Sequence, residues 1–378
     1  MVPKTERTES AAPAIGRGGK AFVVFWAASI LAAYAAAGYF LAAALHESKV
    51  ESAARHVERV DEAVPDADGR APQAPPPPGT GAAAPTTVRV GVYIDRISAY
   101  SVRESYWKAE FFIWFRWRGE VVNPGATFQI IDGDLKSCEI IEDDVVNGEH
   151  YQLYLCTARI TKFFEVTRFP RDDHVLTVEV EDAEWDANHL RYVADAADSR
   201  LSARVRLPGY RVYRSGPAVK THVYPSAYGD PRLVAGTATT YSRFVYGVWV
   251  TRLGWGYFYK IFLGLFVAVA VSLVAFYVRP TDGPRFALGI GALFAAVANN
   301  YISNAILPDM GTLTLTDMIN SLGIVTIFLT LLQSTISLYF YDHRGKRELS
   351  RLFDRVSFAA CVVGYVACNV ALPLAASL

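Results

Sequence analysis

The chain has no net charge: 37 Lys and Arg balance 37 Asp and Glu over 378 residues. Such a balance offers no basic surface to a phosphate backbone, which excludes nucleic acid as a general partner. Catalytic signatures are missing as well. No nucleophile–base set, phosphate-binding glycine loop or metal-ligand cluster with the usual spacing occurs, so an enzyme is not expected and no cofactor is implied. Cysteine is scarce, with four residues, too few for a disulfide-built scaffold.

Charge is also absent over long stretches. Residues 21–45, 261–278, 286–307, 318–341 and 356–378 contain no Lys, Arg, Asp or Glu. A hydrocarbon core of about 30 Å takes about 20 apolar residues as a helix, and each run reaches or approaches that length. The 52% hydrophobic composition is accounted for by these runs. The sequence reads as an integral membrane protein.

Basic residues between the runs set an orientation. Lys4, Arg7, Arg17 and Lys20 precede the first; Arg279 and Arg285 lie between the second and third; Arg344, Lys346, Arg347, Arg351 and Arg355 lie between the fourth and fifth. The loop from Leu307 to Thr316 has none. Strict alternation puts residues 1–20 in the cytoplasm as a tail and region 46–256 outside, together with the C-terminus. Segment 21–45 is read as an uncleaved anchor, because it exceeds the apolar core of about 7–15 residues usual in a signal peptide. Ala42-Ala43-Ala44 leaves a cleaved signal segment as the alternative.

Residues 46–87 begin polar and end in A-P-Q-A-P-P-P-P-G-T-G-A-A-A-P, a linker composition. From Val88 the texture turns to short β-rich runs such as V-R-V-G-V-Y-I, Y-Q-L-Y-L-C and Y-S-R-F-V-Y-G-V-W-V. Turn residues separate them, among them Asn123-Pro124-Gly125, Asp132-Gly133 and Asn147-Gly148. This pattern predicts a β-sandwich or barrel over 88–256. The expected fold is therefore an α+β membrane protein: an exported β-sandwich, then four helices over 257–378, with the extra N-terminal helix or signal segment ahead of both. Cys138 and Cys156 flank the Asn147-Gly148 turn almost symmetrically. A hairpin there would set them on neighbouring strands, either bridged or as buried thiols. Cys361 and Cys368 on the last helix are read as packing residues.

One stretch breaks the strand pattern. R-F-P-R-D-D-H-V-L-T-V-E-V, from Arg168, sets an aromatic–proline–acid corner directly before a strand, and Pro170 suits a reverse turn. Taken with R-F-A-L-G-I from Arg285, L-P at Leu307-Pro308 and Asp317 nine residues on, the corner F-P-x-D at Phe169–Asp172 resembles that of the pentameric ligand-gated ion channels in their short prokaryotic form. The likeness runs over residues 88–378. Lys162 and Leu176 stand where animal members carry two cysteines around the corner, so the corner has no disulfide, as in other bacterial members. Arg252 precedes Gly264 by twelve residues, the spacing at which the family has an arginine and then a proline; Gly264 departs from that proline.

The resemblance implies a homopentamer in the lipid membrane of a bacterial inner membrane. Its periplasmic domain would bind a small-molecule ligand or a proton and gate the passage of an inorganic ion. Phe169, Pro170, Asp172, Arg252, Pro308 and Asp317 would join the sandwich to the pore. Helical spacing picks out Ala287, Gly291, Phe294, Ala298, Ile302 and Ala305 as the pore-lining stripe, unless it is a core or lipid-facing stripe. Phe294 would be the narrow point and close by dewetting. Asn299, Asn300, Ser303 and Asn304 at one end fit an outer vestibule or a helix contact. Asp282 and Arg285 would stand at the cytoplasmic mouth, with selectivity undecided between cation and anion.

Ligand-binding candidates are Trp114 and Trp117 on one face of the subunit, with Trp185, Tyr224 and Tyr228 on the other. Each has core packing as its alternative, and Ala183 stands where the family has its key aromatic. Glu142-Asp143-Asp144 with Glu149 and His150 would hold a divalent cation or form a solvated hairpin tip. His174 and His189 are candidate proton sensors or ordinary histidines. The uniformly apolar stripe and Gly264 favour a rival: a non-conducting receptor of the same fold that signals through its anchor or a partner.

Overall fold

In the computed structural model, which describes residues 15–61, 84–226, 229, 231, 238–308 and 311–377, each charge-free run forms a helix. Among the described residues, five helices are long and apolar enough to cross a membrane. They are α1 (Arg17–Glu58), α3 (Gly256–Val274, continued as a 3-10 turn to Tyr277), α4 (Pro284–Asn304), α5 (Leu315–Leu338, continued as a π turn to His343) and α6 (Arg347–Ser377). A short α2 spans Pro124–Thr127. Local chemistry sets several boundaries. Pro284 opens α4, where a missing N–H is harmless. A reciprocal capping box of Thr314 and Asp317 opens α5. In the bundle, α4 packs on α3 and α5, α6 on α5, and α1 on α6.

Helix α1 corrects one expectation. It has 42 residues, about 63 Å at 1.5 Å per residue, roughly twice a bilayer's apolar thickness. The linker therefore does not start at His46: residues 46–58 continue the helix as a polar stalk. Its charges find partners on the β-domain. Lys49 lies 3.8 Å and His56 3.6 Å from Asp173, Arg55 pairs with Glu165 at 3.2 Å, and Lys220 donates to the Glu58 carbonyl.

Two sheets make up the rest. One joins β4 (Gly133–Val146), β5 (Glu149–Thr161), β2 (Tyr106–Trp117), β1 (Thr86–Ser101) and β7 (Leu190–Ala194) in that order, with β8 (Arg200–Leu201) also on β1. The other runs β3 (Phe128–Ile130), β6 (Asp173–Asp182), β10 (Thr239–Arg252), β9 (Tyr210–Tyr224). Period-two alternation decides which side chains meet between them. Val90, Val92, Phe111, Ile113 and Phe115 from the first sheet share one buried cluster with Val178, Val180, Phe244, Tyr246 and Val248 from the second. At the β4–β5 turn Asn147 and Gly148 both take positive φ, 56° and 75°, the geometry of a two-residue hairpin. That register sets Cys138 opposite Cys156, and the two are joined as a disulfide. Cys361 and Cys368 are free and buried.

The ends of the helices sort by charge. Gly19 of α1 packs on Leu349, and Phe22 on Phe340 and Phe353, so the basic start of α1 and the basic α5–α6 turn share one end. At the other end the corner before β6 meets the start of α5 and the finish of α6.

Candidate functional site: the corner between sheets and helices

The corner is buried on every side that matters. Phe169, only 2% exposed, sits in the cluster of the helices with Val166, Leu307, Leu315 and Ile319, edge-on to Tyr257 at 5.9 Å. Its peptide bond to Pro170 is cis. Backbone groups that the turn leaves unpaired are satisfied by α5: Leu315 N–H donates to the Thr167 carbonyl at 2.7 Å, and Thr316 Oγ1 to the Phe169 carbonyl at 3.1 Å. The two arginines around the proline reach α6. Arg168 pairs with Asp173 and donates to the Ala376 carbonyl at 3.3 Å. Arg171 donates from Nε to Ser377 Oγ at 2.9 Å and lies 4.5 Å over the Trp255 ring.

At the centre stands Asp172, fully buried. Its Oδ1 accepts from Arg252 Nε at 2.8 Å and its Oδ2 faces His174 Nε2 at 2.6 Å, while the Arg252 N–H donates to its carbonyl at 3.3 Å. Burial works against the charge of Asp172. The guanidinium of Arg252 and the bond from His174 outweigh it, holding the carboxyl well below the usual carboxylate range. Arg252 is boxed by aromatic faces, 4.5 Å from Phe169 and Tyr210 and 5.0 Å from Tyr257. The pair thus joins the residue just before β6 to the last residue of β10, which three residues separate from α3.

Other expected members stand apart. Asp317 accepts from Thr314 N–H at 2.9 Å and Thr314 Oγ1 at 2.8 Å, so it caps α5 and does not bind Arg252. Pro308 borders a surface groove with Leu307, Thr314 and Asp317. The helix side of the junction is therefore the first turn of α5 and the end of α6. Arg168, Arg171, Thr316 and Ser377 belong to it and were not singled out by sequence; His174, read there as a candidate proton sensor or an ordinary histidine, belongs to it as the partner of Asp172. The arginines flanking Phe-Pro were the available signal, but their partners lie 208 and 206 residues away.

On α4 the stripe Ala287, Gly291, Phe294, Ala298, Ile302 and Ala305 is exposed throughout, with Phe294 73% exposed. The buried face carries Arg285, Gly289, Ala292, Ala296 and Ser303. Arg285 is thereby corrected. It does not stand at a pore mouth but is wholly buried, donating to both oxygens of Asp354 on α6 at 2.9 and 2.7 Å and to the Val278 carbonyl at 3.0 Å. Its helical phase, one turn before Gly289, puts it against the bundle. Asp282 remains exposed in the preceding turn. Asn299 also turns inward, donating to Asn320 Oδ1 at 3.1 Å. A Cβ on Gly264 would lie 2.9 Å from Asn299 Oδ1, which accounts for a glycine there: α3 and α4 approach through this amide.

The aromatic candidates do not converge within the chain. Trp117 is a core residue, 4% exposed, stacked on His150 at 4.8 Å, which corrects its reading as a ligand contact. Alternation along β2 gives the reason, since Trp117 shares parity with Phe111 and Phe115 and not with Trp114. Trp114 lies over Gly91, where any Cβ would sit 2.2 Å from the indole, and donates to Asp195 at 3.1 Å. Trp185 packs at the rim of the core beside His189. Tyr224 donates to Glu181 at 2.9 Å and accepts from Arg243 at 3.2 Å. Tyr228 lies outside the described residues. Glu142, Asp143 and Asp144 are exposed along β4, and no cluster of metal-ligating side chains occurs among the described residues. Compared with known proteins, the chain matches no family model and no curated relative.

Proposed function

We propose that the chain is one subunit of a homopentameric ligand-gated ion channel of a bacterial inner membrane, its two sheets packed as a periplasmic sandwich. The observation that carries this reading is the buried Asp172–Arg252 pair, seated between the sheets and the first turn of α5. A ligand that shifts β6 against β10 has to move this corner, because both strands end in it. The corner holds α5 through Thr316 and Leu315 and adjoins α3 through Arg252, and α4 packs on both. Movement would thus reach the exposed stripe of α4, which in a pentamer lines the axis. Phe294 would close the pore by excluding water, and Asp282 is the candidate charge at its inner mouth.

An exposed stripe without a polar group also favours the second reading, a non-conducting receptor of the same fold signalling through a partner. Ion flux into liposomes holding the purified protein, driven by a salt gradient and scanned over small amines, carboxylates and pH, separates the two. Flux that appears with one of these triggers supports the channel. Sealed liposomes under every condition, with a pentamer shown to be inserted, support the receptor.

A further inference from the structure

The stalk of α1 ends against the outer side of β6 and leaves a cavity of about 630 Å³, within the range of about 300–1,000 Å³ typical of small-molecule sites. Arg59 capping the end of α1, Asp132 of the β3–β4 turn, Asp134 at the start of β4, Lys162 after β5, and Thr177 and Glu179 of β6 line it. The charges on these walls are not neutralised by one another. Lys162 Nζ donates to a neutral partner, Thr177 Oγ1, at 2.7 Å. Glu179 is already engaged, by Thr177 at 2.8 Å and Arg243 at 3.1 Å. Asp134 has the exposed Lys136 at 3.4 Å. Arg59, Lys162 and Asp132 have no ion-pair partner among the described residues.

Two cations and three acids thus face a common space; Glu179 and Asp134 have partners of their own, Asp132 has none among the described residues, and no carboxylate of those residues lies within 4.0 Å of either cation. Burial and the charge of Arg59 lower the Lys162 pKa to about 7, against the pull of Glu179 and Asp132. Burial lowers that of Arg59 too. A guest carboxylate would accept from both cations and relieve their repulsion; a guest ammonium would donate to Asp132 at the exposed side of the cavity. We infer that this cavity binds a small zwitterion carrying a carboxylate and a primary ammonium group, the chemistry of a free amino acid. The site exists only because α1 continues as a helix beyond the membrane run, since Arg59 comes from its end. Lys162 also begins the segment that leads to Asp172, so an occupant would tie α1 to the corner.

Isothermal titration of the purified full-length protein in detergent at pH 6.5 tests this without reference to ion flux. The probes are alanine, propionate, which lacks the ammonium, and ethylamine, which lacks the carboxylate. Alanine is expected to bind, with propionate and ethylamine at least about tenfold weaker, the loss associated with one charge-assisted hydrogen bond. Arg59→Gln and Lys162→Met should each weaken alanine by a similar factor. Asp132→Asn should do so too, and its asparagine tolerates the positive φ of 54° at that position. Raising the pH to 8.5 should weaken binding as Lys162 loses its proton. Propionate binding as tightly as alanine, no heat with alanine at tens of millimolar, or unchanged affinity in Arg59→Gln and Asp132→Asn would overturn the inference.

Discussion

Asp172 shows how a single carboxylate can be both buried and charged. Alone it would be protonated by the cost of desolvation; Arg252 and His174 reverse that balance. Removing one partner leaves the other buried and uncompensated, at a cost of about 3–5 kcal/mol. Asp172→Asn and Arg252→Gln should each lower stability by about that much, and the double variant by much less than their sum, measured by urea unfolding in detergent. Additive losses would mean that the pair does not act as a unit. Both single variants should also lose gating while keeping assembly and ligand binding. Because the folded pKa lies below the ordinary carboxylate value of about 3.9, the contribution of Asp172 is complete above that pH and is lost only as pH falls through the lower, folded value. Mild acid should leave the junction intact. Phe294 makes a separate prediction. Phe294→Ser removes an apolar ring from the exposed stripe and should give leak current without ligand. Silence from an inserted Phe294→Ser protein, with every trigger, would favour the non-conducting receptor.

Among the elements, α1 is the one whose behaviour depends most on partners far away in sequence. Its apolar half packs on α6, where Gly364 admits the ring of Tyr34 and Gly38 meets Cys368. Its polar half is fastened to the root of β6. His56 lies there between Asp173 and His174 of β6, with Lys49 and Arg59 on its own helix and Arg168 of the corner nearby. Burial lowers its pKa to about 4, more than Asp173 raises it. The sign follows from linkage: an unfolded histidine takes up a proton near pH 6.5, a docked one only near 4, so docking weakens as pH falls between those values. Proteolysis of the stalk should therefore increase from pH 7 to pH 4.5, and His56→Gln should flatten that dependence. A profile unchanged by His56→Gln would take the histidine out of the account. Arg285 makes the same point for α4. Its sequence position implied a mouth, and its helical phase delivered a brace to α6.

For the molecule as a whole, five helices and two sheets predict a defined sidedness. On the proposed orientation, with the basic start of the chain in the cytoplasm, the sheets lie outside. A cysteine at Arg118, exposed just beyond β2, should react with an impermeant maleimide applied to intact spheroplasts. One at Lys346, exposed in the α5–α6 turn, should react only after lysis. The native thiols Cys361 and Cys368 are buried and should give little background. Reversed reactivity would invert the orientation and remove the periplasmic site from the proposal.

The sequence by itself determined the helices, because a run without charge has few folds open to it beside a membrane helix. It determined the strands through alternation, and the β4–β5 register through Asn147-Gly148, since two positive φ values suit that pair. It also marked the corner at Phe169–Asp172, because proline and an acid before a strand are legible locally. The tertiary structure decided what each side chain faces. Residues 46–58 are polar, and as a helix they dock on Asp173, Glu165 and Lys220 of the β-domain. Arg285 and Asn299 find Asp354 and Asn320 on other helices, partners that no local pattern announces. Arg168 and Arg171 acquire their partners from the last turn of α6. Local propensity and hydropathy act over a few residues, whereas burial and charge pairing depend on segments that only folding brings together.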